Sequence, residues 1–292
     1  MIRVSGGEST EKISTSLINV ERKVEQFLPV LLEYFDYAAA VNQLEGLLNS
    51  LPLLKESKTK VRRLRDLCRA FEAWDQFRHE EAWDFLSSYL QYPEIRPYGM
   101  YLKRVIQSRS DIDPGFGTTN GIRGHGFEIV QDLIMNAERR AARQRYDDAV
   151  GRLYRALELL VQIHLLKTYG IVTGDLDINK VPQQTRGRYE KLRYAHNKDQ
   201  IRLSLRQSYE LLREFIDDPL NRIYGKYAGK IAHILNVRNN SLFAHGFKPI
   251  STDEYHRLRD YAVSFMEEGI KGVCADEKAF DPVQFPKKLS FH

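Results

Sequence analysis

Cysteine is scarce in this 292-residue chain. Its two cysteines, Cys68 and Cys274, lie far apart in the sequence and neither belongs to a CxxC pair. This excludes a disulfide framework and the usual zinc-ribbon spacings. A chain with so few thiols fits a reducing compartment. We therefore expect a cytoplasmic protein.

Long apolar runs are also missing. None approaches the roughly 20 residues that a helix needs to cross a bilayer, and the start of the sequence, Met1-Ile2-Arg3-Val4, lacks the apolar core of a signal peptide. The sequence contains no HExxH and no EF-hand spacing, and the glycines of 121–126 do not follow the GxGxxG order. We expect no membrane contact, no metal and no cofactor.

The composition is that of a globular protein, with 42% hydrophobic and 28% charged residues. A net charge of +5 favours a polyanionic partner such as nucleic acid. Arg62, Arg63, Arg65 and Arg69 make one basic helix face. The simpler interpretation is a solvated face paired with acidic neighbours such as Asp66 and Glu72, and the alternative is an RNA-guiding surface.

Apolar residues recur with the helical period over most of the chain, which predicts an all-α fold. We expect a helical linker domain over 25–110, a Gly- and Asp-rich loop over 111–126 and a helical bundle over 127–275. An extended tail should cover 276–292. Residues 1–24 read as a short strand, a Gly-Gly turn and a polar connector.

The segment Arg238-Asn239-Asn240-Ser241-Leu242-Phe243-Ala244-His245-Gly246 carries the strongest functional pattern. Seven residues make almost two helical turns at about 100° per residue, so one helix would place Arg238 and His245 on the same face. Gly246 would close that helix. The simpler interpretation is a pair of capping side chains that hydrogen-bond to loop carbonyls.

This string resembles the R-x(4–6)-H motif of HEPN ribonucleases, in the form found in CARF-HEPN ancillary nucleases of type III CRISPR systems. A second segment, from Tyr146 through Tyr154, Arg155 and Glu158 to Gln162, is similar to the helix that opens the effector half of that family. Residues 1–24 resemble the closing piece of its CARF sensor, and the rest of a sensor is not in this sequence.

The resemblance implies a HEPN-type bundle that dimerises and cleaves single-stranded RNA at a composite site without a metal. Arg238, Asn239 and His245 would be the catalytic residues. Arg238 would stabilise the transition state, His245 would transfer the proton and Asn239 would orient the phosphate. Cyclic oligoadenylate would act only through the sensor that is largely missing here.

Two alternatives stay open at this point. One is a non-enzymatic all-α dimerisation or nucleic-acid-binding module, and the other is a HEPN toxin ribonuclease controlled by a partner. The sequence also leaves two roles undecided. His125 reads as a plain loop histidine rather than a neighbour of the site, and Arg155 with Glu158 reads as a structural brace rather than catalytic machinery.

Overall fold

The computed structural model shows an all-helical protein, which confirms the predicted fold class. In the described part of the chain there are 11 α-helices and no β-strand, apart from an isolated bridge between Ser241 and Lys248. The residues that the structure describes are 22–50, 53–113, 115–116, 120–195, 200–241 and 246–289.

The described residues form two compact units, one within 1–106 and 284–292 and the other within 107–283. This division follows the packing of the chain, and the domain limits that the sequence indicates stay predictions. Residues 1–21 of the predicted sensor remnant lie outside the described residues. Within the part of the chain that the structure covers, no helix is long and apolar enough to span a bilayer.

The first five helices follow a π-helical turn at Arg22–Phe27. They are α1 (Leu28–Glu33), α2 (Tyr37–Ser50), α3 (Lys55–Asp75), α4 (His79–Leu86) and α5 (Arg96–Ser110).

The core of the first unit is aromatic. Trp74 and Phe71 of α3 pack with their ring centroids 4.9 and 5.0 Å from that of Phe285. The hydroxyl of Tyr37 donates to the Pro286 carbonyl at 2.5 Å. A short part of the predicted tail therefore belongs to the core of this unit.

The basic face of α3 is largely paired within the protein. Arg65 binds Asp66 at 2.7 Å as predicted, whereas Arg69 pairs with Glu45 of α2 rather than with Glu72. The guanidinium of Arg63 stacks on a tyrosine ring at 4.6 Å. These contacts support the solvated, paired face over an RNA-guiding surface.

The second unit holds the remaining six helices. They are α6 (Glu128–Ala142), α7 (Tyr146–Tyr169), α8 (Arg186–Ala195), α9 (Leu205–Leu212), α10 (Pro219–Asn240) and α11 (Thr252–Cys274). Helices α6, α10 and α11 pack against α7 or against each other. The fully buried residues Leu153, Leu157, Leu160, Ile234 and Phe265 lie in this core.

Several helix ends differ from those that periodicity predicts. The pattern predicts one helix from Lys198 to Ile216 and another that begins near Tyr227. In the structure α9 ends at Leu212, and α10 begins at Pro219 because the Asp218 side chain caps it. The sequence Ser251-Thr252-Asp253-Glu254 predicts a cap that opens α11, and this start is confirmed, since Ser251 Oγ accepts from the Glu254 backbone N–H at 3.3 Å.

Candidate active site

Arg238 lies in the last turn of α10, where the C-terminal end of the helix dipole favours a cation. Its side chain is partly buried. The guanidinium carbon lies 4.7 Å from the centroid of the Tyr154 ring of α7. Ile231 and Ile234, which lie seven and four residues earlier, are buried, so Arg238 lies on the helix face that they share. The cation–π contact holds the guanidinium beside α7.

Tyr154 links the two segments that the sequence singles out. Burial raises the pKa of its hydroxyl, and so does the carboxylate of Glu158, while Arg238 opposes the shift. Arg155 forms an ion pair with Glu158 and also donates to the Gln162 side chain at 3.1 Å. These contacts are all made within α7, so they form an ion pair on the surface of one helix and do not support a brace between α7 and the helix that carries Arg238.

The helix that carries Arg238 ends earlier than predicted. The sequence predicts that it runs through His245, but α10 ends at Asn240 and Ser241 turns into an extended conformation. The Ser241 hydroxyl donates to the Arg238 carbonyl at 2.8 Å. Asn and Ser side chains compete with helical hydrogen bonds in this way, so the Asn239-Asn240-Ser241 run ends the helix.

The prediction that one helix runs from Arg238 through His245 is therefore wrong, because the helix ends at Asn240. His245 itself lies outside the described residues, and its position stays a prediction. The sequence suggests either a surface or a back-bonded hydroxyl for Ser241, and the structure shows a buried, back-bonded one.

The chain returns to the end of α10 at Gly246. The Gly246 N–H donates to the Ser241 carbonyl at 3.1 Å, and Ser241 then bridges to Lys248. A Cβ on Gly246 would stand 1.8 Å from the Asn240 carbonyl oxygen. Glycine is required here for this close backbone approach rather than as a left-handed helix cap.

Asn239 is exposed, and its carboxamide oxygen accepts from Arg238 Nη1 at 3.2 Å. It therefore stands next to the guanidinium, as the assigned role requires. Two open cavities meet the end of α10. One of about 480 Å³ includes Asn239 and Tyr154, and the other of about 270 Å³ includes Asn240 and Lys248.

Two residues to which the sequence analysis gave no role lie near this end of α10. Asp147 of α7 accepts from the Ile250 backbone N–H at 3.2 Å and so ties the chain after the motif to α7. His233 is exposed on α10 and lines the smaller cavity. Neither belongs to a recognisable spacing, so only the folded chain brings them to this place.

The other end of α10 is held by a buried polar cluster. His164 Nε2 lies 2.6 Å from Asp218 Oδ2, and the Tyr169 hydroxyl donates to the same oxygen at 2.8 Å. Burial would raise the pKa of Asp218, but these hydrogen bonds and one from the Asn221 N–H outweigh it and lower that pKa. The cluster holds the N-terminus of the helix that carries Arg238.

His125 is engaged in the loop before α6. Its Nδ1 accepts from the Phe127 N–H at 3.0 Å, and its backbone N–H donates to Glu128 at 2.9 Å. Lys167 donates to its carbonyl at 2.6 Å. These contacts favour the plain loop histidine that the sequence suggested.

The described residues contain no group of three or more His, Cys, Asp or Glu side chains that could hold a metal ion. What they do present is a fixed guanidinium, a neighbouring carboxamide and an adjoining cleft. A guanidinium has the planar fork that binds two phosphate oxygens. The end of α10 is therefore suited to bind a phosphodiester.

Comparison with known protein families agrees with this geometry. A family model described as Csm6 HEPN domain matches residues 119–268, which is more than half of the chain. A second, described as Csm6 6H domain, matches residues 26–98. No curated protein matches the chain in sequence. The chain therefore belongs to the Csm6 HEPN family, the ancillary HEPN ribonucleases of type III CRISPR systems.

Proposed function

We propose that this chain is a metal-independent endoribonuclease that cleaves single-stranded RNA in type III CRISPR antiviral defence. The 2′-hydroxyl of the RNA attacks the adjacent phosphorus and leaves a 2′,3′-cyclic phosphate. The observation that carries the proposal is Arg238, held on Tyr154 at the exposed end of α10 beside an open cleft. The match to the Csm6 HEPN domain over 119–268 supports it.

Each assigned residue meets one demand of this reaction. The non-bridging oxygens gain charge in the transition state, and the guanidinium of Arg238 binds them without reorganisation. A proton must leave the 2′-hydroxyl and another must reach the departing 5′-oxygen. Histidine suits this transfer because its ordinary pKa of about 6.5 lies near working pH, and we assign it to His245. Asn239 orients the phosphate through its carboxamide.

A single arginine and a single histidine are few groups for this reaction, and we propose that two protomers combine them. A two-fold dimer brings each motif next to its own copy. The outward face of α10, which we define as Gly225 and Gly229, is exposed in the protomer. It lies on the same helix as Arg238, so pairing across this face would bring two motifs together.

The test uses the purified chain and a labelled single-stranded RNA in EDTA. We expect cleavage to persist, to leave cyclic phosphate ends and to stop when the 2′-hydroxyl at the cleaved position is replaced by hydrogen. Arg238→Ala and His245→Ala should each lower the rate by roughly 100-fold or more. His256→Ala is the matched control, because His256 is an exposed histidine of α11.

The melting temperature separates catalysis from folding. Arg238→Ala removes a cation–π contact worth about 0.5–1 kcal/mol and one hydrogen bond to exposed Asn239, so the variant should remain folded and dimeric. If the wild type cuts no RNA and both variants lose the dimer, the non-enzymatic dimerisation module is the better interpretation. If EDTA abolishes cleavage and a divalent cation restores it, the metal-independent mechanism is wrong.

Regulation is part of the proposal. In the family to which the resemblance points, cyclic oligoadenylate acts through the CARF sensor, of which only residues 1–24 resemble a part. Cleavage measured with and without added cyclic tetra- or hexa-adenylate tests whether this chain responds to it. The match to the Csm6 6H domain over 26–98 favours the CRISPR context over a toxin held by a partner.

A further inference from the structure

A groove runs along α10 on the side that faces α9, and its chemistry goes beyond binding the scissile phosphate. Its volume is about 480 Å³, within the roughly 300–1,000 Å³ typical of small-molecule sites. Both helices line it: the Tyr209 and Tyr224 rings, the apolar Ile231 and Leu235, and the exposed Arg213. We call it the α9–α10 groove.

The groove is continuous with the candidate active site. Asn239, next to Arg238, lines one end, and Tyr154, on which Arg238 rests, lines it as well. Tyr224 lines it fifteen residues before Asn239, about 22 Å away along the helix axis at 1.5 Å per residue. An RNA strand whose scissile phosphate lies at Arg238 would therefore continue into the groove.

The aromatic wall of the groove is rigid. The Tyr224 ring stacks on that of Tyr209, with centroids 4.5 Å apart and planes at 14°. Tyr209 is fully buried, and its hydroxyl donates to the Leu157 carbonyl at 2.9 Å. Tyr224 also meets Phe265 edge-on at 6.1 Å. The half-buried Tyr224 thus forms an ordered aromatic surface at the edge of the groove.

The charges of the groove favour an anion. Arg206 and Glu210 form an exposed ion pair at 2.9 Å and largely cancel each other. Arg213 is exposed and makes no ion pair within the described ranges of the chain. Burial raises the pKa of Tyr224, while the two arginines and Glu210 act on it in opposite directions. The excess charge at the rim is the guanidinium of Arg213.

We propose that the α9–α10 groove holds one nucleotide of the RNA substrate, several nucleotides away from the cleaved bond. Its base stacks on the Tyr224 surface and its phosphate binds Arg213. Single-stranded RNA is recognised in this way, by unstacked bases on aromatic rings and by arginine at the backbone. This inference rests on the proposed function and adds residues that set affinity for this nucleotide rather than the chemical step.

An abasic scan of the substrate tests the groove. Single-stranded RNAs with one abasic nucleotide at successive positions around the cleaved bond are cut by the wild type and by Tyr224→Leu. We expect one position, several nucleotides from that bond, at which loss of the base lowers kcat/KM of the wild type by roughly 5- to 100-fold. The Tyr224→Leu variant should cleave intact RNA with a kcat/KM that is lowered by a similar factor. Removing the base from the RNA should then lower its kcat/KM little further.

Arg213→Gln tests the phosphate contact at an exposed position where folding is not at risk. We expect a higher KM, an unchanged kcat and a salt dependence of KM reduced by about one ion. Arg257→Gln, which removes an exposed arginine of α11, is the matched control and should behave as the wild type.

The outcomes separate this inference from the proposed function. If the wild type cleaves RNA and Arg238→Ala does not, but no abasic position away from the cleaved bond matters and Arg213→Gln keeps its KM, the groove assignment falls and the ribonuclease stands. If Arg213→Gln and Tyr224→Leu are folded but monomeric by light scattering, the groove is a protomer contact and the assignment is equally wrong. Absence of any cleavage by the wild type would instead remove the proposed function.

Discussion

Gly229 on the outward face of α10 offers the sharpest test of the composite site. It is exposed, its backbone is not left-handed, and a Cβ built on it meets no heavy atom within 4 Å. Glycine in a helix interior is about 1 kcal/mol less favourable than alanine. In an isolated protomer Gly229→Ala should therefore stabilise, raising the melting temperature by about 2–4 °C for a domain of 150–250 residues.

In a dimer that pairs through this face, a side chain larger than alanine should be unfavourable. Gly229→Leu adds four carbon atoms to a face that two protomers would share, and overpacking of a close-packed contact costs about 1–3 kcal/mol. Because a two-fold contact contains the substitution twice, the cost doubles to about 2–6 kcal/mol. Dimerisation is then weakened by roughly 30-fold or more. Activity should fall with the dimer and return as the protein concentration is raised.

Light scattering and RNA cleavage are measured over the same range of concentrations. Gly46→Leu is the control, because Gly46 lies in α2 of the other unit and a Cβ there also meets nothing within 4 Å. The control should remain dimeric and active. A Gly229→Leu protein that is dimeric and fully active at low concentration would refute the placement of the two-fold contact on this face.

Three further changes test the support of Arg238. Asp218→Asn should destabilise the protein by about 1–3 kcal/mol near neutral pH, because it removes a buried charge partner and weakens a cap, while exposed Asp217→Asn should not. Because the folded pKa of Asp218 is lowered, its contribution is complete above the unfolded value of about 3.9. The wild type should lose this contribution as pH falls below that value, and acid denaturation should be shallower in the variant. Gly246→Ala should deform the turn after α10 and lower RNA cleavage, whereas Gly174→Ala, which meets nothing within 4 Å, should be silent in the same assay. Arg238→Lys should keep the charge yet cleave roughly 10- to 100-fold more slowly, since an ammonium cannot bind two oxygens in one plane.

The fold class was predictable because helical periodicity is a local property. Apolar residues such as Leu153, Leu157 and Leu160 recur at helical spacing, and all three are buried in α7. Helix ends were less predictable, because they depend on capping contacts. The sequence reads Asp218 as the end of the preceding helix, and only the hydrogen bond from the Asn221 backbone N–H to its side chain shows that it caps α10.

In the candidate site, too, the sequence predicted some features and only the fold determined others. Arg238 and Asn239 could be named from a spacing and a family resemblance, and the structure places them side by side at the exposed end of α10. The helix was predicted to continue past Ser241, because periodicity does not register a hydroxyl that bonds back to a carbonyl. The contact with Tyr154 joins residues 84 positions apart, and no local pattern reports such a pair.

By itself the sequence determined that this protein is helical, basic and equipped with an arginine–histidine motif, because composition and periodicity are properties of neighbouring residues. Tertiary structure alone decided where the motif helix ends, which ring supports its guanidinium and which groove adjoins it. Those features depend on side chains from α7, α9 and α10 that meet only when the chain packs its core.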